Sequence, residues 1–189
     1  MLEVRVLKGR ELFDEGLVER VVELDKRNMR AVWERAGMEY PEENRRKSFA
    51  SDPTFVVAFD GGEIAGYVEY LRSWNDPRLI YVGSLQVAEK YRRAGLLLRL
   101  LDEFRAAVSR EDFDGFETSV QKANATAAAL YRRLGFRLEP NPRNELSWLA
   151  RAGREILADS PVVPLLDRWR ERQTRRGASR PAGRRGTQS

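Results

Sequence analysis

Val120-Gln121-Lys122-Ala123-Asn124-Ala125-Thr126-Ala127-Ala128-Ala129-Leu130-Tyr131-Arg132-Arg133-Leu134-Gly135-Phe136 reads as the end of a strand, a capped helix and the start of another strand. The strand is Phe116–Val120. Asn124 stands where a helix start needs an acceptor for its unpaired N–H groups. The alanine- and leucine-rich run that follows is a good helix former. Gly135 then supplies the residue that most easily takes the left-handed conformation closing a helix. Asn124 and Tyr131 lie about two turns apart and share one face. Singly, each has an ordinary reading, Asn124 as a helix cap and Tyr131 as a core aromatic.

Working upstream, Val87-Ala88-Glu89-Lys90-Tyr91-Arg92-Arg93-Ala94-Gly95-Leu96-Leu97 joins a strand, Leu79–Val87, to a helix from Gly95 to about Ser109. Leu97, Leu100, Leu101, Phe104 and Val108 are expected on one apolar face of that helix. N–H groups at a helix N-terminus attract phosphate, Gly95 permits close backbone approach, and Arg92 and Arg93 add cations. The ordinary reading is a basic βα turn with solvated arginines.

The rest of the chain completes the pattern. Leu2–Leu7 alternates as a half-buried strand. Residues 12–36 read as one helix, Gly37–Pro41 as a break, and 41–50 as a short helix. Thr54–Phe59 and Ile64–Leu71 flank the turn Asp60-Gly61-Gly62 as a hairpin. Phe136 opens another strand and Leu146–Ala150 a weaker one. Hairpins followed by a strand-helix-strand crossover imply an α/β fold with a mixed sheet of about six to seven strands between helices. The expected organisation is a domain over 1–152, a basic helical extension over 153–176 and a disordered Arg-rich tail over 177–189.

Composition removes several chemistries. The chain has no cysteine and no histidine, which excludes disulfides, thiolate nucleophiles, imidazole bases and the commonest metal ligands. No metal is expected. Net charge is +5 over 189 residues, but residues 151–189 hold ten Arg against four acids. The body is therefore near neutral, and the high pI says nothing about its partner. No run is long and apolar enough for a membrane span and the N-terminus lacks a signal-peptide layout, so a cytoplasmic protein is expected.

The 120–136 stretch resembles the second signature of the GNAT N-acetyltransferase superfamily, V-x-x-x-N-x-x-A-x-x-L-Y-x-x-x-G-F. Val120, Asn124, Ala127, Leu130, Tyr131, Gly135 and Phe136 all agree with it. The upstream turn resembles the family's acetyl-CoA signature, Arg/Gln-x-x-Gly-x-Gly/Ala, through Arg92 and Gly95. Leu97 departs from it. The resemblance covers roughly residues 2–150.

It implies a GNAT fold in which acetyl-CoA lies where two parallel strands, here Leu79–Val87 and Phe116–Val120, splay apart. The turn Arg92-Arg93-Ala94-Gly95-Leu96-Leu97 would take the phosphates. Backbone groups of Leu85, Gln86 and Val87 would bind the pantetheine arm and polarise the thioester. Tyr131 would protonate the leaving thiolate, and Asn124 would bond the cofactor arm or a water. No base is assigned: the Leu79–Val87 strand has no acid, and Glu69 and Glu117 read as candidates that are ordinarily solvated strand residues. The amine acceptor, a small molecule or a peptide, is expected over Trp33, Glu34, Met38, Glu39 and Tyr40, with Glu69 and Trp74 nearby. A homodimer is left open. The competing readings are a non-catalytic acyl-CoA binder or sensor of the same fold and, from another class, an RNA- or ribosome-associated protein acting through the basic tail. The tail's one aromatic, Trp169, disfavours nucleic acid.

Overall fold

A computed structural model describes residues 2–92, 95–160 and 162–178. Seven strands form one sheet in the order β1-β2-β3-β4-β5-β7-β6: β1 Leu2–Lys8, β2 Thr54–Asp60, β3 Glu63–Arg72, β4 Leu79–Val87, β5 Gly115–Gln121, β6 Arg137–Pro140 and β7 Ser147–Gly153. Every neighbouring pair is antiparallel except β4 and β5, which are parallel. The helices are α1 Gly9–Asp14, α2 Val18–Arg35, α3 Glu42–Ser48, α4 Leu96–Val108, α5 Ala125–Leu134, α6 Ile156–Asp159 and α7 Val163–Ala178.

Strand β2 shows why the sheet is central. Phe55, Val57 and Phe59 face α1 and α2 with Leu12, Val21, Val22 and Leu24. Val56 and Ala58 face the other way, with Val68, Ile80, Leu96, Leu100 and Phe116. An apolar residue at every position is what a strand buried on both faces requires.

Three expectations are corrected. The single helix over 12–36 is two, α1 and α2, separated at Gly16, whose φ of 66° is left-handed. Helix α7 runs through Gly177 to Ala178 rather than breaking there; residues 179–189, the rest of the expected disordered tail, lie outside the described residues. On α4, Leu96, Leu100 and Val108 are the side chains fully buried, as expected of Leu100 and Val108, whereas Leu97 is only half-buried. Phe104 packs on the sheet against Tyr70 and Phe116, and with Leu101 it lines a cavity of about 60 Å³ beside the buried Val162 and Leu166.

Candidate active site

Strands β4 and β5 pair only at Leu79↔Gly115, Ile80↔Phe116 and Tyr81↔Glu117. Beyond that point β5 pairs only with β7, and β4 only with β3, so the two edges diverge. A bulge sets the apex. The β3–β4 register passes from Glu69↔Ser84 to Tyr70↔Val82, leaving Gly83 as an extra residue. A bulge changes the phase of alternation: Ile80, Val82 and Leu85 face the α4–α5 core, while Ser84 and Gln86 face α2. Side chains of both characters therefore border one opening.

One wall is backbone. The Gly83–Val87 edge of β4 has lost its strand partner, and the Val87 carbonyl accepts from Asn28 Nδ2 at 3.2 Å. Gly95 caps α4 with φ 73°, a conformation glycine adopts without strain. Arg92 is exposed, and its Nη2 donates to Asn28 Oδ1 at 3.1 Å. Arg93 and Ala94 lie outside the described residues. Leu96 is buried in the core and Leu97 half-buried, so at these two positions it is the N–H groups of the first turn that face outward chemistry.

Asn124 is the N-cap of α5: its Oδ1 accepts from Ala127 N at 3.0 Å. Its Nδ2 points to Met29 Sδ at 3.8 Å, bringing α2 against the start of α5. Tyr131 is buried, packed edge-on against Phe136 at 5.1 Å. Burial holds its phenol pKa above 10, with a hydrogen bond to Thr118 opposing the shift. Thr118 Oγ1 in turn donates to the Val82 carbonyl at 2.7 Å, at the strand divergence. The Tyr131 hydroxyl thus reaches the apex and stays protonated at neutral pH.

The opposite wall is made of charge. Arg45 on α3 pairs through Nε with Asp25 Oδ2 at 2.9 Å and through Nη1 with Glu69 Oε2 at 2.7 Å. The Asp25 carboxylate also accepts from Tyr40 Oη at 3.0 Å and Gln86 Nε2 at 2.7 Å. Arg45 Nη2 donates to Tyr67 Oη at 3.3 Å. Glu69 is 3% exposed, and its carboxyl lies against Gly83, where an added Cβ would come within 3.1–3.2 Å of it. The bulge glycine is thus what admits this acid to the apex. Desolvation raises the Glu69 pKa above its ordinary value; Arg45 opposes the shift and Asp25 adds to it.

Glu117, on β5 across from Tyr81, is 1% exposed. Ser73 and Asn75 donate to its Oε1, and Arg151 Nη2 stands 3.5 Å from Oε2. The Tyr81 pKa is pushed up to about 12 by burial, with smaller contributions from Tyr131, Glu69 and Glu117. Its ring meets Trp74, 68% exposed, at 5.5 Å. Tyr81 therefore lies near the phenol on the cofactor side and the two buried acids.

The expectation that Glu69 and Glu117 are solvated is overturned: both are buried and hydrogen-bonded or ion-paired. Of the expected acceptor residues, Tyr40 joins the charged network and Trp74 borders Tyr81. Trp33 is half-buried on α2; Glu34 pairs in solvent with Arg30 at 2.8 Å, and Met38 and Glu39 are exposed. Asp25, Arg45, Tyr67, Ser84 and Asn28 carry no motif. The one available signal was Asp25 itself, a charge on the face of α2 that Val21 and Val32 place toward the core.

An open parallel-strand edge, a left-handed glycine cap and a protonated phenol between them fit the phosphates, amide arm and thioester of acetyl-CoA. Among the described residues no cluster of His, Cys, Asp or Glu is arranged for a metal, and no helix is long and apolar enough to cross a membrane. The sequence profile of the acetyltransferase (GNAT) family matches residues 18–136. The chain belongs to that family.

Its relatives include the L-2,4-diaminobutyric acid acetyltransferase of Methylotuvimicrobium alcaliphilum, 31% identical over 86 residues. That match spans 46% of this chain and half the length of the relative. Among solved structures, the PaiA N-acetyltransferase of Thermoplasma acidophilum in complex with coenzyme A has a TM-score of 0.59 at 16% identity, covering 81% of this chain and 99% of that one. The diaminobutyrate acetyltransferase EctA of Paenibacillus lautus, with its substrate and coenzyme A, has a TM-score of 0.52 at 18% identity, covering 81% and 95%. At these identities the structures show a shared fold.

Proposed function

We propose that the chain transfers the acetyl group of acetyl-CoA directly, in a ternary complex, to a primary amine of a small cationic molecule. The observation that carries the reading is the strand divergence after Tyr81↔Glu117, with a backbone wall on one side and buried carboxylates on the other. Asp25 and Glu69 share a single buried guanidinium, Arg45, while Glu117, 1% exposed, has Arg151 3.5 Å away. That leaves an excess of negative charge in a low dielectric, which favours an ammonium group. The setting we propose is the cytoplasm, which suits a chain without cysteine.

Acetyl-CoA supplies an already activated acyl group. The Gly83–Val87 edge holds the pantetheine arm and polarises the thioester carbonyl, the first turn of α4 holds the phosphates, and Asn124 Nδ2 serves the arm while Oδ1 keeps the helix capped. An attacking amine must be neutral, yet about one alkylamine in a thousand is neutral at pH 7. Glu69, raised toward neutrality and set against Gly83, takes the amine's proton. The Tyr131 hydroxyl gives its proton to the departing sulfur. Tyr81, Trp74 and Trp33 border the acceptor and exclude water.

A thiol-release screen tests this with acetyl-CoA and a panel of diamino acids, polyamines, amino sugars and peptide N-termini. L-2,4-diaminobutyrate is included because a relative bears its name. Small dications are expected to lead. Preferential turnover of anionic or neutral peptides would overturn the acceptor class.

A further inference from the structure

Helix α7 lies beyond the 18–136 stretch matched by the family, yet it packs on α4 and ends its docking at the cofactor turn. Val162 and Leu166 anchor it in the apolar cleft, and Arg170 Nη2 pairs with Asp102 Oδ1 at 2.6 Å. These contacts aim Trp169 at Gly95. A Cβ on Gly95 would stand 3.5 Å from the indole Nε1 and 3.9 Å from Cδ1. The edge of the ring bearing the donor thus faces the left-handed cap of α4. Trp169 is half-buried, and its N–H has no hydrogen-bond partner among the described residues. Packing alone would be served by any ring edge. An indole N–H is only a donor, and here it stands beside a turn whose first backbone N–H groups have no intrahelical partner.

We propose that Trp169 is a cofactor-binding residue supplied by the C-terminal helix, donating its indole N–H to a phosphate oxygen of acetyl-CoA at the Gly95 turn. This rests on the acetyl-CoA reading above and adds to it: the extension is part of the active site. The ligand atom is a phosphate oxygen because phosphate is the acceptor-only group that a helix N-terminus attracts. The indole then completes a donor set whose other members are the N–H groups of the first turn of α4.

Trp169→Phe keeps the ring and removes the donor. Calorimetry with CoA is expected to show affinity about 10-fold weaker than the parent, the low end for one lost hydrogen bond to a charged group, as suits a partly exposed site. S-acetylpantetheine, which lacks the phosphates, is expected to show an unchanged KM, and the melting temperature is expected to stay the same. Unaltered CoA affinity in Trp169→Phe overturns the proposal. Equal losses with CoA and S-acetylpantetheine overturn it too, because they assign Trp169 to packing. If the parent itself binds no CoA, the acetyl-CoA reading fails first. Trp169→Ala separates the ring from the donor: a loss no larger than that of Phe supports the hydrogen bond, and a loss confined to Ala overturns it.

Discussion

The two walls of the opening are built from different material. On the cofactor side the chain offers backbone: the free edge of β4 and the first turn of α4, shaped by Gly95. On the acceptor side it offers interlocked side chains from α2, α3, β3 and β5, in which Arg45 answers two carboxylates at once. Backbone sites tolerate most side-chain changes and fail where a glycine is lost. A buried ion network fails when any member is lost, because the remaining charges are stranded. One wall is therefore expected to fail in binding, the other in stability and chemistry.

The largest effect should come from Arg45→Met. It leaves Asp25 and Glu69 buried without their cation and is expected to cost about 3–5 kcal/mol of stability, read as a shift in urea midpoint. Arg151→Ala, which removes only the half-exposed partner of Glu117 at 3.5 Å, should cost under about 1 kcal/mol. Equal costs would show that burial of the cation does not set the weight of its pairs.

Gly95→Glu attacks the backbone wall. A carboxylate at a positive φ meets both phosphate charge and the Trp169 ring, so CoA binding should be lost while the fold persists at a strain cost of about 1 kcal/mol. Calorimetry beside a thermal melt checks this, and unchanged affinity would move the phosphates elsewhere.

Tyr131→Phe lies between the walls. It should lower kcat about 100-fold, the lower part of the range for a general acid, because a CoA thiolate leaves readily. CoA affinity should hold. Full activity with a lower melting temperature would return Tyr131 to the core, beside Phe136.

How much of this was legible depended on whether the chemistry is contiguous in the chain. The cofactor wall is written in local stretches, 87–97 and 120–136, where caps, glycines and periodicity report on their own neighbours, and the strand-helix-strand crossover is read from them. The acceptor wall joins residues from Asp25 to Glu117 through tertiary packing. Nothing near Glu69 in sequence announces Arg45, because the pairing depends on how α3 docks on β3. Its burial depends on a bulge at Gly83 that no turn signature marks. The α1–α2 break was missed because apolar spacing continues through Gly16. The α7 contact on Gly95 was invisible for the same reason as the ion network.

The smallest expected effect is a pH dependence. The Glu69 pKa lies above its unfolded value through burial, so in the window between the two the native chain holds a proton the unfolded chain has released. Stability should fall as pH rises through that window and level off above it. Glu69→Gln should lack this slope. Urea midpoints of both proteins from about pH 4 to 8 decide it, and parallel curves would mean that Glu69 is ionised throughout.

Calorimetric titration with acetyl-CoA in the presence of a chelator tests the central claim most directly. The strand divergence and the Gly95 turn predict saturable one-to-one binding that needs no metal and is lost in Gly95→Glu. No heat at high micromolar cofactor would contradict the account.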